Sequence, residues 1–136
     1  MALGNSRCSS KILVVFLCTM VFAQQQANGG GVVSAGGSRE WPVGDNSGWS
    51  FGVLGWPNYK PFKTGDVLLF NYKKGAHNVV QVNMSQYSLC QVPPRAPVWS
   101  SGNDRITLAR GMSFYVSGFP GDCDKGMKIA VTARDP

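Results

Sequence analysis

From residue 39 onward the chain consists of short runs rich in β-branched and aromatic residues, and no long segment repeats its apolar residues with a helical period. Residues typical of turns separate these runs, at positions 44–46, 73–75, 101–104 and 110–111. Many short strands separated in this way are typical of a β-sandwich or a β-barrel. We therefore predict an all-β domain with strands over residues 40–43, 66–72, 78–82, 105–108, 113–116 and 128–132.

The last of these runs shows the alternation of a strand with one buried face. Met127, Ile129, Val131 and Ala133 fall on one side of an extended chain, because successive side chains of a strand point in opposite directions. We expect this apolar side to face the core of the domain.

The N-terminal residues have the pattern of a secretory signal peptide. Arg7 and Lys11 precede an uncharged apolar run over residues 12–23, which is shorter than the roughly 20 residues of a membrane-spanning helix. A cleavage site after Ala23 completes the pattern and predicts a signal peptide over residues 1–23, with a buried helix or a retained membrane anchor as the alternative. The uncharged Gln-, Gly- and Ser-rich residues 24–38 predict a flexible leader, followed by a domain over residues 39–136.

Loss of the signal peptide leaves two of the four cysteines, Cys90 and Cys123. Two cysteines in a secreted protein predict one disulfide, with two free thiols as the alternative. The three prolines of residues 91–97 exclude a central strand and predict a connection that follows Cys90. Asn83, followed by Met and Ser, is a candidate N-glycosylation site.

The charge of the chain is basic, with 13 Lys and Arg against 7 Asp and Glu. Without Arg7 and Lys11 the net charge is +4, and the remaining basic residues are scattered rather than interleaved with aromatic ones, which argues against nucleic-acid binding. A basic secreted protein is attracted to acidic polysaccharides, although a merely solvated basic surface is the alternative. No second hydrophobic segment follows residue 39, so we expect a soluble monomer without a membrane anchor.

The residues near the C-terminus include groups from which blue copper sites are made. His77, Cys123 and Met127 supply an imidazole, a sulfur and a thioether. A blue copper site needs two imidazoles and a thiolate, however, and this chain has one histidine. A disulfide would also remove Cys123 as a ligand.

Several ordered motifs over residues 39–134 resemble the phytocyanins, and among them the plantacyanins or basic blue proteins. The matching residues are Val43-Gly44-Asp45-x-x-Gly48-Trp49, Gly55-Trp56-Pro57, Phe62-x-x-Gly65-Asp66-Val67-Leu68-x-Phe70-Asn71-Tyr72, His77-Asn78-Val79-Val80, Ser101-Gly102-x-Asp104-x-Ile106-x-Leu108 and Phe119-Pro120-Gly121-x-Cys123-x-x-Gly126-Met127-Lys128-Ile129-Ala130-Val131. The resemblance implies a cupredoxin-like Greek-key β-sandwich with a disulfide below the copper loop.

The resemblance also implies where the copper ligands of the family would fall. The upstream histidine and the axial methionine match His77 and Met127, whereas the ligand cysteine and the second histidine match Ser117 and Asp122. The disulfide pair matches Cys90 and Cys123. A serine hydroxyl and a carboxylate are hard ligands that cannot replace the thiolate of a blue centre.

We therefore expect no cofactor, with copper as the alternative. His77 and Met127 can equally be a hydrogen-bonded surface histidine and a core methionine. Ser117, His77 and Asp122 are also the residue types of a hydrolytic triad, but no Gly-x-Ser-x-Gly elbow accompanies them, and we predict no enzyme.

The resulting function is that of a secreted phytocyanin-like protein of the plant cell wall or apoplast. We expect it to act through surface contacts with an acidic polysaccharide or a surface receptor. The alternative is a small copper-binding electron-transfer protein.

Overall fold

A computed structural model describes residues 37–136 of the chain, and within it Ser38–Pro136 form one compact unit. The signal peptide predicted over residues 1–23 lies outside the described residues, as does nearly all of the leader predicted over residues 24–38. Both stay predictions. The described part contains no helix of the length and apolarity needed to cross a membrane.

Within residues 37–136, seven strands form two sheets, as the prediction of an all-β sandwich requires. The strands are β1 (Glu40–Pro42), β2 (Val67–Asn71), β3 (Val79–Val82), β4 (Val98–Trp99), β5 (Asn103–Thr107), β6 (Gly111–Val116) and β7 (Lys128–Ala133), and a six-residue helix α1 (Met84–Leu89) follows β3. One sheet has the order β7-β6-β3-β4 and is antiparallel throughout. The other has the order β1-β2-β5, with β1 parallel to β2. The predicted fold class is confirmed, although the sequence did not predict β4 or α1.

The buried face of β7 is the one that the alternation predicted. Met127 and Ile129 are fully buried, Val131 is 1% exposed and Ala133 is 2% exposed. They belong to the main hydrophobic core, which also holds the side chains of Trp41 and Trp49 and those of other residues on both sheets. The remaining members are Val43, Val53, Phe62, Leu68, Phe70, Val79, Ile106, Leu108 and Tyr115.

A second, smaller apolar cluster surrounds the disulfide. Cys90 and Cys123 are joined, as predicted, and close a loop with a sequence separation of 33 residues. Cys123 packs among buried side chains of β3 and β6, and Tyr87 of α1 covers the same cluster. Residues 91–97 form neither helix nor strand, which agrees with their three prolines. The disulfide therefore ties the end of α1 to the turn that precedes β7.

Two of the four edge strands of the two sheets are short. β4 has two residues and follows Pro97, and β1 has three residues and ends at Pro42. β7 is a longer edge, but a parallel bridge between Lys63 and Arg134 covers the chain just beyond its C-terminal end. The two longer edges are β5, with five residues, and β7, with six.

Asp66 connects the first strand to the turn before β2. Its Oδ1 accepts a hydrogen bond from the Arg39 backbone N–H (3.0 Å), and its Oδ2 accepts from Trp41 Nε1 and from the Lys63 backbone N–H (2.9 Å each). Burial on its own would raise the pKa of Asp66, which is 3% exposed, but these hydrogen bonds hold the pKa below its ordinary value. The charged carboxylate therefore stabilises the folded chain.

Replacing Asp66 by Asn should lower the free energy of unfolding at neutral pH by about 1–3 kcal/mol, because the new amide nitrogen would face a backbone or indole N–H. Because the folded-state pKa of Asp66 is lowered, its stabilisation is complete above about pH 4 and is lost as the pH falls through the folded-state pKa. Urea unfolding at several pH values should show a weaker pH dependence in Asp66→Asn below pH 4. Asp124→Asn, at an exposed position, is the control and should leave that dependence unchanged.

Candidate functional site

Three of the four positions that the resemblance assigns to copper ligands lie on one loop, and its backbone holds them together. Ser117 directly follows β6, and Met127 directly precedes β7. The Ser117 N–H donates to the Met127 carbonyl (3.0 Å), and the Met127 N–H donates to the Asp122 carbonyl (3.1 Å). Residues 117–127 therefore form a closed loop between two paired strands.

Asn78 fastens this loop to the turn that carries His77. Its side-chain Oδ1 accepts from the Gly118 N–H (2.6 Å), and its carbonyl accepts from Trp49 Nε1 (2.8 Å). A Cβ atom at Gly118 would lie 3.1 Å from Val80 Cγ2, so this close approach favours glycine. Asn78 belongs to the motif quoted for the family resemblance, but the role of its side chain was not predicted.

Asp122 is the centre of the polar network at the site. Ser117 Oγ donates to Asp122 Oδ2 over 2.7 Å, and His77 Nδ1 lies 2.7 Å from the same oxygen. With an ionised carboxylate as the acceptor, His77 Nδ1 carries the hydrogen. The structure thus brings together the three residues that the family resemblance placed at one site, and it joins them to one another directly.

The members of the site differ in their access to solvent. Ser117 is 1% exposed and Met127 is fully buried, whereas the His77 side chain is 20% exposed. The rings of Phe51 and Phe119 lie 5.4 and 6.4 Å from the imidazole between ring centroids. His77 is therefore the residue of the network that reaches the surface, and it does so between two aromatic rings.

This network does not have the order of a hydrolytic triad. In such a triad the histidine lies between the serine and the carboxylate, so that it can take the serine proton. Here Asp122 lies between Ser117 and His77, and the serine hydroxyl is buried and already donates to the carboxylate. The geometry argues against a nucleophilic serine.

The donors at the site also do not fit a blue copper ion. Such an ion needs two imidazoles and a thiolate in a near-trigonal arrangement. His77 is the only histidine of the chain, and in residues 37–136 both cysteines form the disulfide. The oxygen donors, Ser117 and Asp122, are hard ligands, and the Ser117 hydroxyl already donates to Asp122 Oδ2. Over the same residues no group of three or more His, Cys, Asp or Glu side chains is arranged to hold a metal ion.

Asn83, the candidate glycosylation site, caps α1. Its Oδ1 accepts from the Gln86 N–H (2.8 Å), and the Gln86 side chain accepts from the Asn83 N–H (2.9 Å), which forms a capping box. The residue is exposed, and the cap uses the side-chain oxygen rather than the amide nitrogen to which a glycan would be attached. Its glycosylation stays a prediction.

Known proteins with a similar sequence share this domain. The family model of the plastocyanin-like domain matches residues 41–127. The basic blue protein of Arabidopsis thaliana is 48% identical over 93 residues, which cover 68% of this chain and 72% of that protein. The chemocyanin of Lilium longiflorum is 50% identical over 93 residues, which cover 68% of this chain and 74% of that protein.

A solved structure agrees with the sequence relatives. Cucumber basic protein, a blue copper protein, aligns with a TM-score of 0.68 and 48% identity over 69% of this chain and 98% of its own. The predicted cupredoxin-like fold is therefore confirmed. The residues quoted for the family resemblance lie within the matched residues 41–127, apart from the last four, residues 128–131. The chain belongs to the phytocyanin family, whose plastocyanin-like domain it carries over residues 41–127.

Proposed function

We propose that this phytocyanin is a secreted extracellular protein that has no blue copper site and acts through its surface. The observation that supports it best is the network in which Asp122 Oδ2 accepts hydrogen bonds from both Ser117 and His77. The positions that the family resemblance assigns to the thiolate and the second imidazole carry a hydroxyl and a carboxylate. These two groups are hydrogen-bonded to each other directly.

The chemistry of the network explains why a blue centre is unfavourable. Thiolate-to-copper charge transfer gives such a centre its colour, and a soft sulfur ligand helps to hold Cu(I). A metal ion that used His77 Nδ1 would have to displace the hydrogen bond to Asp122. A site of one imidazole and hard oxygen ligands would favour Cu(II) and slow any cycling between the two oxidation states.

The alternative function is a small copper-binding electron-transfer protein. Two observations favour it. His77 and Met127 are present at the positions that the resemblance assigns to two ligands, and the name of the cucumber relative describes a blue copper protein. Neither observation provides the thiolate ligand that a blue copper site needs, and we therefore regard electron transfer as the second candidate function.

Secretion and the basic charge support the extracellular role. The predicted signal peptide would direct the chain to the secretory route, where the Cys90–Cys123 disulfide is stable. The net positive charge would concentrate the protein near acidic polysaccharides. The protein would act as a binding module rather than as an enzyme or an electron carrier.

Titrating the purified mature domain with Cu(II) tests this proposal. We expect no intense visible charge-transfer band and no stoichiometric copper in metal analysis after gel filtration, because no thiolate is available. The matched control is a blue relative such as cucumber basic protein, treated identically. One tightly bound copper per chain with an intense visible band would support the electron-transfer alternative instead.

A further inference from the structure

A polar cleft of about 480 Å³ lies between the segment before β2 and the C-terminal end of β7. None of the residues that line it belongs to the network of Ser117, Asp122 and His77. Its cationic members are Lys60, Lys63 and Arg134, which come from two segments far apart in sequence. The fold thus brings together basic residues that are scattered along the sequence.

The cleft has an excess of positive charge. Asp135 is the only acidic residue among those that line it, and both of its carboxylate oxygens have partners. Oδ1 accepts a hydrogen bond from Thr64 Oγ1 (3.1 Å), and Oδ2 lies 3.5 Å from Arg110 Nε. The lining therefore carries three cations against one carboxylate, and that carboxylate also pairs with Arg110.

The cations are carried by backbone that is held in place. Lys63 and Arg134 are paired in a parallel bridge, in which the Arg134 N–H donates to the Phe62 carbonyl (3.2 Å) and the Thr64 N–H donates to the Arg134 carbonyl (2.9 Å). Neither Lys63 nor Arg134 forms an ion pair with an acidic side chain of residues 37–136. Two adjacent, exposed cations are therefore available for an anionic ligand.

Lys60 is held more firmly than an ordinary surface lysine. Its Nζ donates to the Trp56 carbonyl (2.7 Å) and lies 4.8 Å from the centroid of the Trp56 ring. Both contacts restrict a side chain that is otherwise flexible, so less conformational entropy is lost when it binds a ligand. The remaining hydrogens of its ammonium group stay available for an acceptor.

The rest of the cleft combines apolar and hydrogen-bonding groups. Phe62 and Val131 are buried beneath it, and Pro61 is exposed at its side. Asn58 and Thr132, both exposed, supply an amide and a hydroxyl. A sugar ring likewise has apolar C–H faces and a rim of hydroxyl groups.

We propose that this cleft binds an oligosaccharide rich in uronic acids, an inference that rests on the proposed surface-binding function. Arg134 and Lys63 would pair with ring carboxylates, since a guanidinium can bind a carboxylate through two parallel hydrogen bonds. Sugar hydroxyls would bond to Asn58 and Thr132, and Pro61 would contact the apolar face of a ring. Each uronate ring has a carboxylate, hydroxyl groups and an apolar face, and the cleft has a matching group for each of these.

The backbone at the cleft favours a saccharide over an acidic peptide. An extended peptide that adds to a sheet edge needs open backbone N–H and C=O groups. The N–H of Arg134 and its carbonyl are already bonded to Phe62 and Thr64. Recognition at this end of β7 therefore depends on side chains.

Calorimetric titration of the mature domain with a size-selected oligogalacturonate tests the inference, at an ionic strength of about 0.15 M where the Debye length is about 8 Å. We expect the double variant Lys63→Gln, Arg134→Gln to bind about tenfold more weakly or worse, because two ion pairs to the ligand are lost. The fully methyl-esterified oligosaccharide, which has the same rings without the charges, should show no measurable binding.

The matched control is Lys73→Gln, Arg95→Gln, which removes the same two residue types from exposed positions outside the cleft. Its affinity should stay within about twofold of the original, since long-range surface electrostatics alone is weak and screened. Equal losses in both double variants, absence of binding by the unaltered domain, or equally tight binding of poly-L-glutamate would each overturn the inference. None of these results would alter the copper titration, so a failure of the proposed function would be recognised separately.

Discussion

The double variant Ser117→Cys, Asp122→His should become blue on addition of Cu(II), whereas the unaltered protein should stay colourless. The closed loop of residues 117–127 and the hydrogen bonds of Asn78 already place positions 117 and 122 beside His77. A thiolate and a second imidazole at those positions would complete the near-trigonal donor set, with the sulfur of Met127 as the candidate axial ligand. An absorption spectrum and metal analysis should show an intense charge-transfer band and one copper per chain.

A variant with the same new side chains in a different place provides the control. Ser113→Cys, Asp122→His puts the thiol four residues earlier on β6, at a buried position that is not bonded to Asp122. It should give no such band. In the mature domain, without Cys8 and Cys18, thiol labelling of the denatured protein should find one free cysteine in both variants, which would show that the Cys90–Cys123 bond has formed. If the first variant folds but binds no copper, positions 117 and 122 are not the ligand positions of this fold.

Removal of the disulfide should cause the largest loss of stability. Cys90→Ser, Cys123→Ser should lower the free energy of unfolding by about 3–4 kcal/mol, since the bond closes a 33-residue loop in the unfolded chain. Cys123 also packs in the second apolar cluster, so the polar serine replaces a buried group there. For a domain of this size the melting temperature should fall on the order of 20 °C.

Reductant provides the internal control for this measurement. The unaltered protein should lose comparable stability when it is unfolded in the presence of a reductant, whereas the double serine variant should not respond to it. A melting temperature that stays the same after complete reduction, verified by mass spectrometry, would contradict the stabilising role of the Cys90–Cys123 bond.

The sequence predicted those parts of the fold that depend on local pattern. The alternation of Met127, Ile129 and Val131 was sufficient to assign the buried face of β7. β4 has only two residues after a proline-rich connection, too few for any periodicity to be visible. The six-residue helix α1 was missed for the same reason, although Asn83 followed three residues later by Gln86 was a usable capping signal.

The sequence predicted which residues form the candidate site, but not which hydrogen bonds join them. The family resemblance placed Ser117, Asp122 and His77 at one location, and the structure brings them together. That Asp122 lies between the other two depends on side-chain geometry, which spacing along the chain does not determine. The cleft around Lys63 and Arg134 could not be predicted from the sequence for a different reason. Its two sides are about 70 residues apart along the chain and come together only in the folded structure.

The short edge strands bear on how this protein behaves at high local concentration. An unpaired strand edge is a template on which another copy can add its own strand, and long flat edges promote aggregation. β1 and β4 offer three and two residues, each next to a proline, and Lys63 covers the chain beyond β7. Copies accumulating on a charged polymer matrix would therefore have two longer edges rather than four at which to join sheet to sheet, those of β5 and β7.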